Sequence, residues 1–116
     1  MSVNYRNQFY VYILSNHKRS VLYIGVTSNL MKRVFEHKQA LVEGFTARYK
    51  VHDLLYYEIH KTVIEAIARE KQLKNWSRRK KNVIIAKSNP TLKDLYPQPS
   101  LTFKDPSTPS RPPAGG

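Results

Sequence analysis

Phe9-Tyr10-Val11-Tyr12-Ile13-Leu14, the polar Ser15-Asn16-His17-Lys18-Arg19-Ser20, and Val21-Leu22-Tyr23-Ile24-Gly25 decide how this chain folds. The first run is aromatic and β-branched, which favours strand. It is apolar on both faces, so it reads as an interior strand covered on two sides. The polar segment is turn-like, and the second run repeats the strand signal. Two such runs joined by so short a connection predict an antiparallel hairpin. Gly25 is read as the end of the second strand and as a place where something approaches the backbone closely.

A helix is expected next. Thr27-Ser28-Asn29 offers capping groups immediately before Leu30. At about 100° per residue, Leu30, Val34, His37 and Leu41 share one side, while Lys32, Glu36 and Gln39 point away. Gly44 is the expected stop, since glycine readily takes the left-handed cap conformation. The stretch Gly44-Phe45-Thr46-Ala47-Arg48-Tyr49-Lys50 carries no clear signal. Leu54-Leu55-Tyr56-Tyr57-Glu58 predicts a third strand. Thr62 followed by Glu65 has capping-box spacing and predicts a second helix over about 62–76, with Val63, Ala66, Ile67 and Leu73 on its apolar arc. Ser77 to Ala86 suits a third helix, with strand as the competing reading, and Asn89-Pro90 ends it. Leu92, Leu95 and Tyr96 are expected to pack back on the domain. Residues 97–116 hold six of the seven prolines and read as a disordered tail after a domain spanning 1–96.

Charge narrows the partners. Twenty Lys and Arg against eight Asp and Glu give a formal charge of +12, which favours a polyanion through counterion release. The densest basic segment contains Lys71, Lys74, Arg78, Arg79, Lys80 and Lys81 around Asn75 and Trp76, and is the expected nucleic-acid contact. Cysteine is absent, which excludes disulfides and thiolate metal sites. No apolar stretch approaches the roughly 18 residues of a membrane helix, so no membrane partner is expected and the cytoplasm is the expected location. The four histidines lack zinc-ligand spacing.

The chemistry-bearing residues each have a plainer reading. Glu70 falls inside the apolar arc of the second predicted helix, where a carboxylate must be paired or metal-bound; an ion pair with a nearby cation would satisfy it. Arg33 and His37 are four residues apart and face alike. Alone they read as a solvated arginine and a core-edge histidine. Together they can neutralise a phosphate oxygen and move a proton or orient water. Tyr12 and Tyr23, on neighbouring strands, are ordinarily packing residues.

Their order is more specific than any one of them. Val11-Tyr12, Tyr23-Ile24-Gly25, Arg33, His37 and Glu70 together resemble the GIY-YIG nucleases, and more narrowly their small single-domain bacterial members. Phe9 to Leu14, Leu22 to Thr27, Gly44-Phe45-Thr46 and Arg69 to Trp76 all look like that subgroup, over about residues 8–96. The resemblance implies an α/β (α+β) fold with a central three-stranded, mainly antiparallel sheet flanked by helices. It implies a DNA endonuclease acting in repair or processing, with one divalent ion, Mg²⁺ or Mn²⁺, held by Glu70. It further implies that Tyr23 helps to deprotonate the attacking water, Tyr12 orients or shares that proton, and Arg33 is the catalytic arginine. Tyrosine titrates near about 10, so a basic Tyr23 needs the metal or Arg33 to favour its ionised form.

This chain also departs from the family. Tyr10 replaces the glycine that opens the first motif, Val26 stands where one branch has lysine, and His37 stands where several relatives have tyrosine, which makes it a candidate base. One metal and one carboxylate describe a single site, so nicking of one strand at a time is expected, and a monomer would suffice. The alternative is a non-catalytic nucleic-acid-binding module that keeps the fold.

Overall fold

The computed structural model describes residues 8–41 and 44–96; the tail expected over 97–116 lies outside the described residues. Three strands form one antiparallel sheet. The interior strand is β1 (Phe9–Ser15), with β2 (Leu22–Thr27) on one side and β3 (Asp53–His60) on the other. The order β2-β1-β3 bears out the hairpin and the interior placement. Strand β2 does not end at Gly25: it runs to Thr27, with Gly25 paired to Tyr12 and Tyr23 to Leu14. In β3 a bulge falls opposite Ile13 and Leu14, where Tyr56 and Leu54 are their partners. The extra residue, Leu55, lets two successive side chains, Leu55 and Tyr56, serve one face.

Each face of β1 builds its own core. Val11 and Ile13 join Ile24, Leu55, Ala66, Leu73 and Ile85. Tyr12 and Leu14 join Leu30, Val34, Val51 and Leu54. Each fully buried aliphatic side chain contributes about 1.5–3 kcal/mol by transfer from water. Helix α1 (Leu30–Lys38) therefore covers the Tyr12 face, while α3 (Val63–Asn75) and α4 (Arg78–Ser88) cover the other. Asn29, Thr62 and Ser77 cap these helices, accepting from the N–H of Lys32, Glu65 and Lys80.

Several helix limits and faces differ from the sequence expectation. Helix α1 stops at Lys38, well before Gly44. Ala40 takes the left-handed conformation (φ 56°), its N–H bonds His37 O and that of Leu41 bonds Glu36 O, the pairing of a Schellman cap. Leu41 is thus outside the helix and exposed. Gly44 instead precedes a single turn, α2 (Phe45–Arg48), at φ 98°. The same cap closes α2 with Lys50 at φ 56°, where Val51 N–H bonds Thr46 O. In α3, Ala66 and Leu73 are fully buried, but Val63 and Ile67 are about two-fifths exposed (42% and 40%), so the buried stripe is narrower than the apolar arc. Residues 78–88 are helical rather than extended. Leu95 and Tyr96 pack against the Tyr12 core as expected, with Leu95 N–H on Leu54 O, whereas Leu92 stays partly exposed.

Candidate active site

The hairpin register sets the first part of the site. Tyr12 and Leu14 share a face, and the strand opposite places Gly25 and Tyr23 on that same face. The two phenols are diagonal neighbours, with ring centroids 6.4 Å apart. The Tyr12 ring lies over Gly25. A Cβ built there would stand 2.6 Å from Tyr12 Cζ and would collide with the hydroxyl. The close approach read from Gly25 is therefore that of Tyr12. Any other residue at this position would displace the phenol.

Helix α1 supplies the next two groups. Leu30 and Val34 anchor it to the sheet, and His37, one turn beyond Val34, is 2% exposed. Its Nε2 lies 3.5 Å from the Tyr12 hydroxyl, and its Nδ1 lies 3.0 Å from Thr46 Oγ1. The ring also stands 5.7 Å from that of Tyr23. Burial, reinforced by the Arg33 cation, pushes the His37 pKa down to about 4, so the imidazole is neutral near pH 7. Burial raises the Tyr12 pKa, and the nearby Arg33 guanidinium opposes that rise. Arg33 also bonds Glu36 at 3.2 Å, and Lys32 holds the same carboxylate at 2.8 Å. The guanidinium lines an open groove with Val26, Thr27, Ser28, Asn29 and Lys32. Tyr12 and His37 lie buried, and Tyr23 is part-buried.

Glu70 approaches from the other layer. It lies between Ala66 and Leu73 on the sheet-facing side of α3, with its side chain 18% exposed, and pairs with Lys74 at 3.0 Å. Its neighbour Arg69 reaches β3, where it grips Glu58. Although α3 and α1 cover opposite faces, the charge of Glu70 acts at the Tyr12 hydroxyl and adds to the rise in its pKa. Among the described residues, no group of three His, Asp or Glu could hold a metal ion. Glu70 alone still fits a hydrated Mg²⁺, which keeps several waters and takes one or two carboxylates together with substrate phosphates.

Two participants carried no signal of their own in the sequence. Phe45 stacks on Tyr23, with centroids 6.4 Å apart and planes at 25°, and Thr46 meets His37. The Gly44-Phe45-Thr46 triplet was visible only as part of the resemblance. Of the six basic residues, Lys71, Arg79 and Lys81 have no hydrogen-bond or ion-pair partner among the described residues. Lys74 holds Glu70, Arg78 donates to the carbonyls of Arg19 and Ser20, and Lys80 lies over the Trp76 ring.

The GIY-YIG catalytic domain matches residues 8–82, and the chain belongs to this family of nucleases. It is 32% identical over 80 residues to a UPF0213 protein of Bacillus pumilus, covering 69% of this chain and 81% of that protein. To a UPF0213 protein of Staphylococcus saprophyticus it is 31% identical over 80 residues, covering 69% and 96%. The solution NMR structure of the UPF0213 protein BH0048 of Bacillus halodurans is 26% identical, covers 72% of this chain and 88% of that one, and aligns with a TM-score of 0.48. Family membership implies a DNA substrate and a divalent ion. None of the helices in the described residues is long and apolar enough to cross a membrane.

Proposed function

We propose that this protein is a metal-dependent DNA endonuclease that nicks one strand at a time, in DNA repair or processing. The observation that carries this reading is the convergence of Tyr12, Tyr23, Arg33 and His37 from three elements, with the Glu70 charge acting on the Tyr12 hydroxyl. In-line attack on phosphate needs an activated water and neutralisation of charge. Arg33, which lines the open groove beside Lys32, neutralises a non-bridging oxygen, which is worth on the order of 10²- to 10³-fold in rate. Tyr23, part-buried at the edge of the sheet, takes a proton from the attacking water as its phenolate, its own proton having gone to solvent. Tyr12 lies too deep to meet water directly, being 1% exposed; its hydroxyl faces the neutral His37 Nε2 and keeps its proton, so the pair orients the site. Glu70 would hold the divalent ion, which when bound polarises the phosphate and assists departure of the leaving oxygen. The exposed Lys71 and Arg79, with the half-buried Lys81, would track the backbone of the DNA.

Supercoiled plasmid incubated with Mg²⁺ or Mn²⁺ tests the assignment. The wild type converts it to the open circle, and Glu70→Ala does not. Equal nicking by both would refute the site. The 3.0 Å pair between Glu70 and Lys74 favours a second reading, in which Glu70 is structural and the domain only binds nucleic acid. That reading requires salt-sensitive DNA binding without nicking in the wild type.

A further inference from the structure

The Gly44-Phe45-Thr46 triplet has no part in the chemistry above, yet the structure sets it against two rings of the site. We propose that Thr46 is a positioning residue that holds His37 as its Nδ1–H tautomer, so that the Nε2 lone pair faces the Tyr12 hydroxyl. Three observations lead there.

The first is the anchoring of Thr46. Helix α2 is one turn long, and its cap ties Thr46 O to the N–H of Val51 at 2.8 Å. Val51 is fully buried in the core that contains Tyr12, Leu14 and Leu54. Thr46 is itself 4% exposed, and His37 is the side-chain partner its hydroxyl has among the described residues. The second is the difference between the two ends of the imidazole. The Nδ1 contact with Thr46 is 3.0 Å and the Nε2 contact with Tyr12 is 3.5 Å, so the shorter bond fixes the ring and its proton.

The third is donor counting. The Tyr12 hydroxyl is buried, so the phenol's own proton needs an acceptor, and Nε2 faces it at 3.5 Å. An accepting Nε2 requires the proton on Nδ1, which then donates to Thr46 Oγ1. The opposite tautomer would set an N–H against the phenol oxygen and leave the phenol proton without an acceptor on this ring. Tautomer choice set by the bond at the other ring nitrogen is general behaviour for histidine. Here it prepares the imidazole to accept the hydrogen bond of the Tyr12 hydroxyl and so to hold the phenol in place.

The role of Thr46 in catalysis rests on the nuclease reading, but the tautomer is measured on the resting protein. Long-range ¹H–¹⁵N spectra of ¹⁵N-labelled protein at pH 7 give the result directly. His37 is expected to show a protonated Nδ1 and an unprotonated Nε2 in the wild type. Thr46→Val is expected to move the proton to Nε2 and to slow single-turnover cleavage at saturating DNA by roughly tenfold, with DNA affinity unchanged. Thr46→Ser, which keeps the hydroxyl, restores both. A wild-type ring already protonated at Nε2, or a Thr46→Val ring with the proton still on Nδ1, overturns the proposal. A wild type that nicks no DNA overturns the nuclease reading and leaves the spectrum to decide the role of Thr46.

Discussion

Gly25→Ala should damage both stability and activity, for one steric reason. The new Cβ would stand 2.6 Å from Tyr12 Cζ, with the hydroxyl closer still, whereas ordinary contact begins at 3.4 Å. The phenol has to retreat by about 0.8 Å, the difference between those two distances. It has nowhere convenient to go, because Tyr12 is 1% exposed and packed among Leu14, Leu30, Val34 and Leu54. Overpacking of this kind costs about 1–3 kcal/mol, which for a domain of this size lowers Tm by roughly 5–20 °C. A reacting group displaced by about 1 Å also loses on the order of 10² in rate. Thermal melts by circular dichroism and single-turnover nicking of supercoiled plasmid measure the two effects. Adding Gly25→Ala to Tyr12→Phe should cost less stability than adding it to the wild type, because the nearest clashing atom is gone; the cycle isolates the contact. An alanine variant with wild-type Tm and rate would refute the placement of the phenol over Gly25.

Two further outcomes follow from charge. His37 has a folded pKa near 4 against an ordinary 6.5, so the unfolded chain binds the proton more readily. Stability is therefore undiminished above pH 6.5 and falls as pH drops towards 4; by pH 5 the loss is about 2 kcal/mol. Urea melts at pH 7.5 and 5 should show that part of the slope removed in His37→Gln, and an unchanged slope would refute it. Replacing Lys71, Arg79 and Lys81 by Gln should reduce the slope of log Kd against log salt by about 0.9 for each phosphate left without its cation. Replacement of Lys74 should also disturb Glu70, with which it pairs.

Local signals gave away much of this fold. The strand and hairpin residues of Phe9 to Gly25, the caps Asn29 and Thr62, and the stop at Asn89-Pro90 act through near neighbours, so their effect is readable from order alone. The misplaced end of α1 shows the limit. Ala40 and Lys50 adopt left-handed backbone that glycine usually takes, because cap hydrogen bonds and the burial of Val51 outweigh the local preference. The exposure of Val63 and Ile67 could not be read from the helical wheel either, since a three-stranded sheet covers only the stripe holding Ala66, Glu70 and Leu73. In the site, Tyr12, Tyr23, Arg33 and Glu70 were visible as a pattern spread over 59 positions, from 12 to 70. The partner of His37 was not. Thr46 reaches it through a one-turn helix whose formation depends on the glycine at 44 and on packing of residue 51.

The interior strand has one consequence for how this domain can meet its substrate. Val11 and Ile13 belong to one core, Tyr12 and Leu14 to the other, and both strand edges are already hydrogen-bonded. Tyr12 therefore cannot slide or swivel without loosening both layers together, and its phenol is as fixed as the domain is folded. On the nuclease reading, adjustment to a bound duplex falls to the long cationic side chains at the rim, because the buried phenol is stationary.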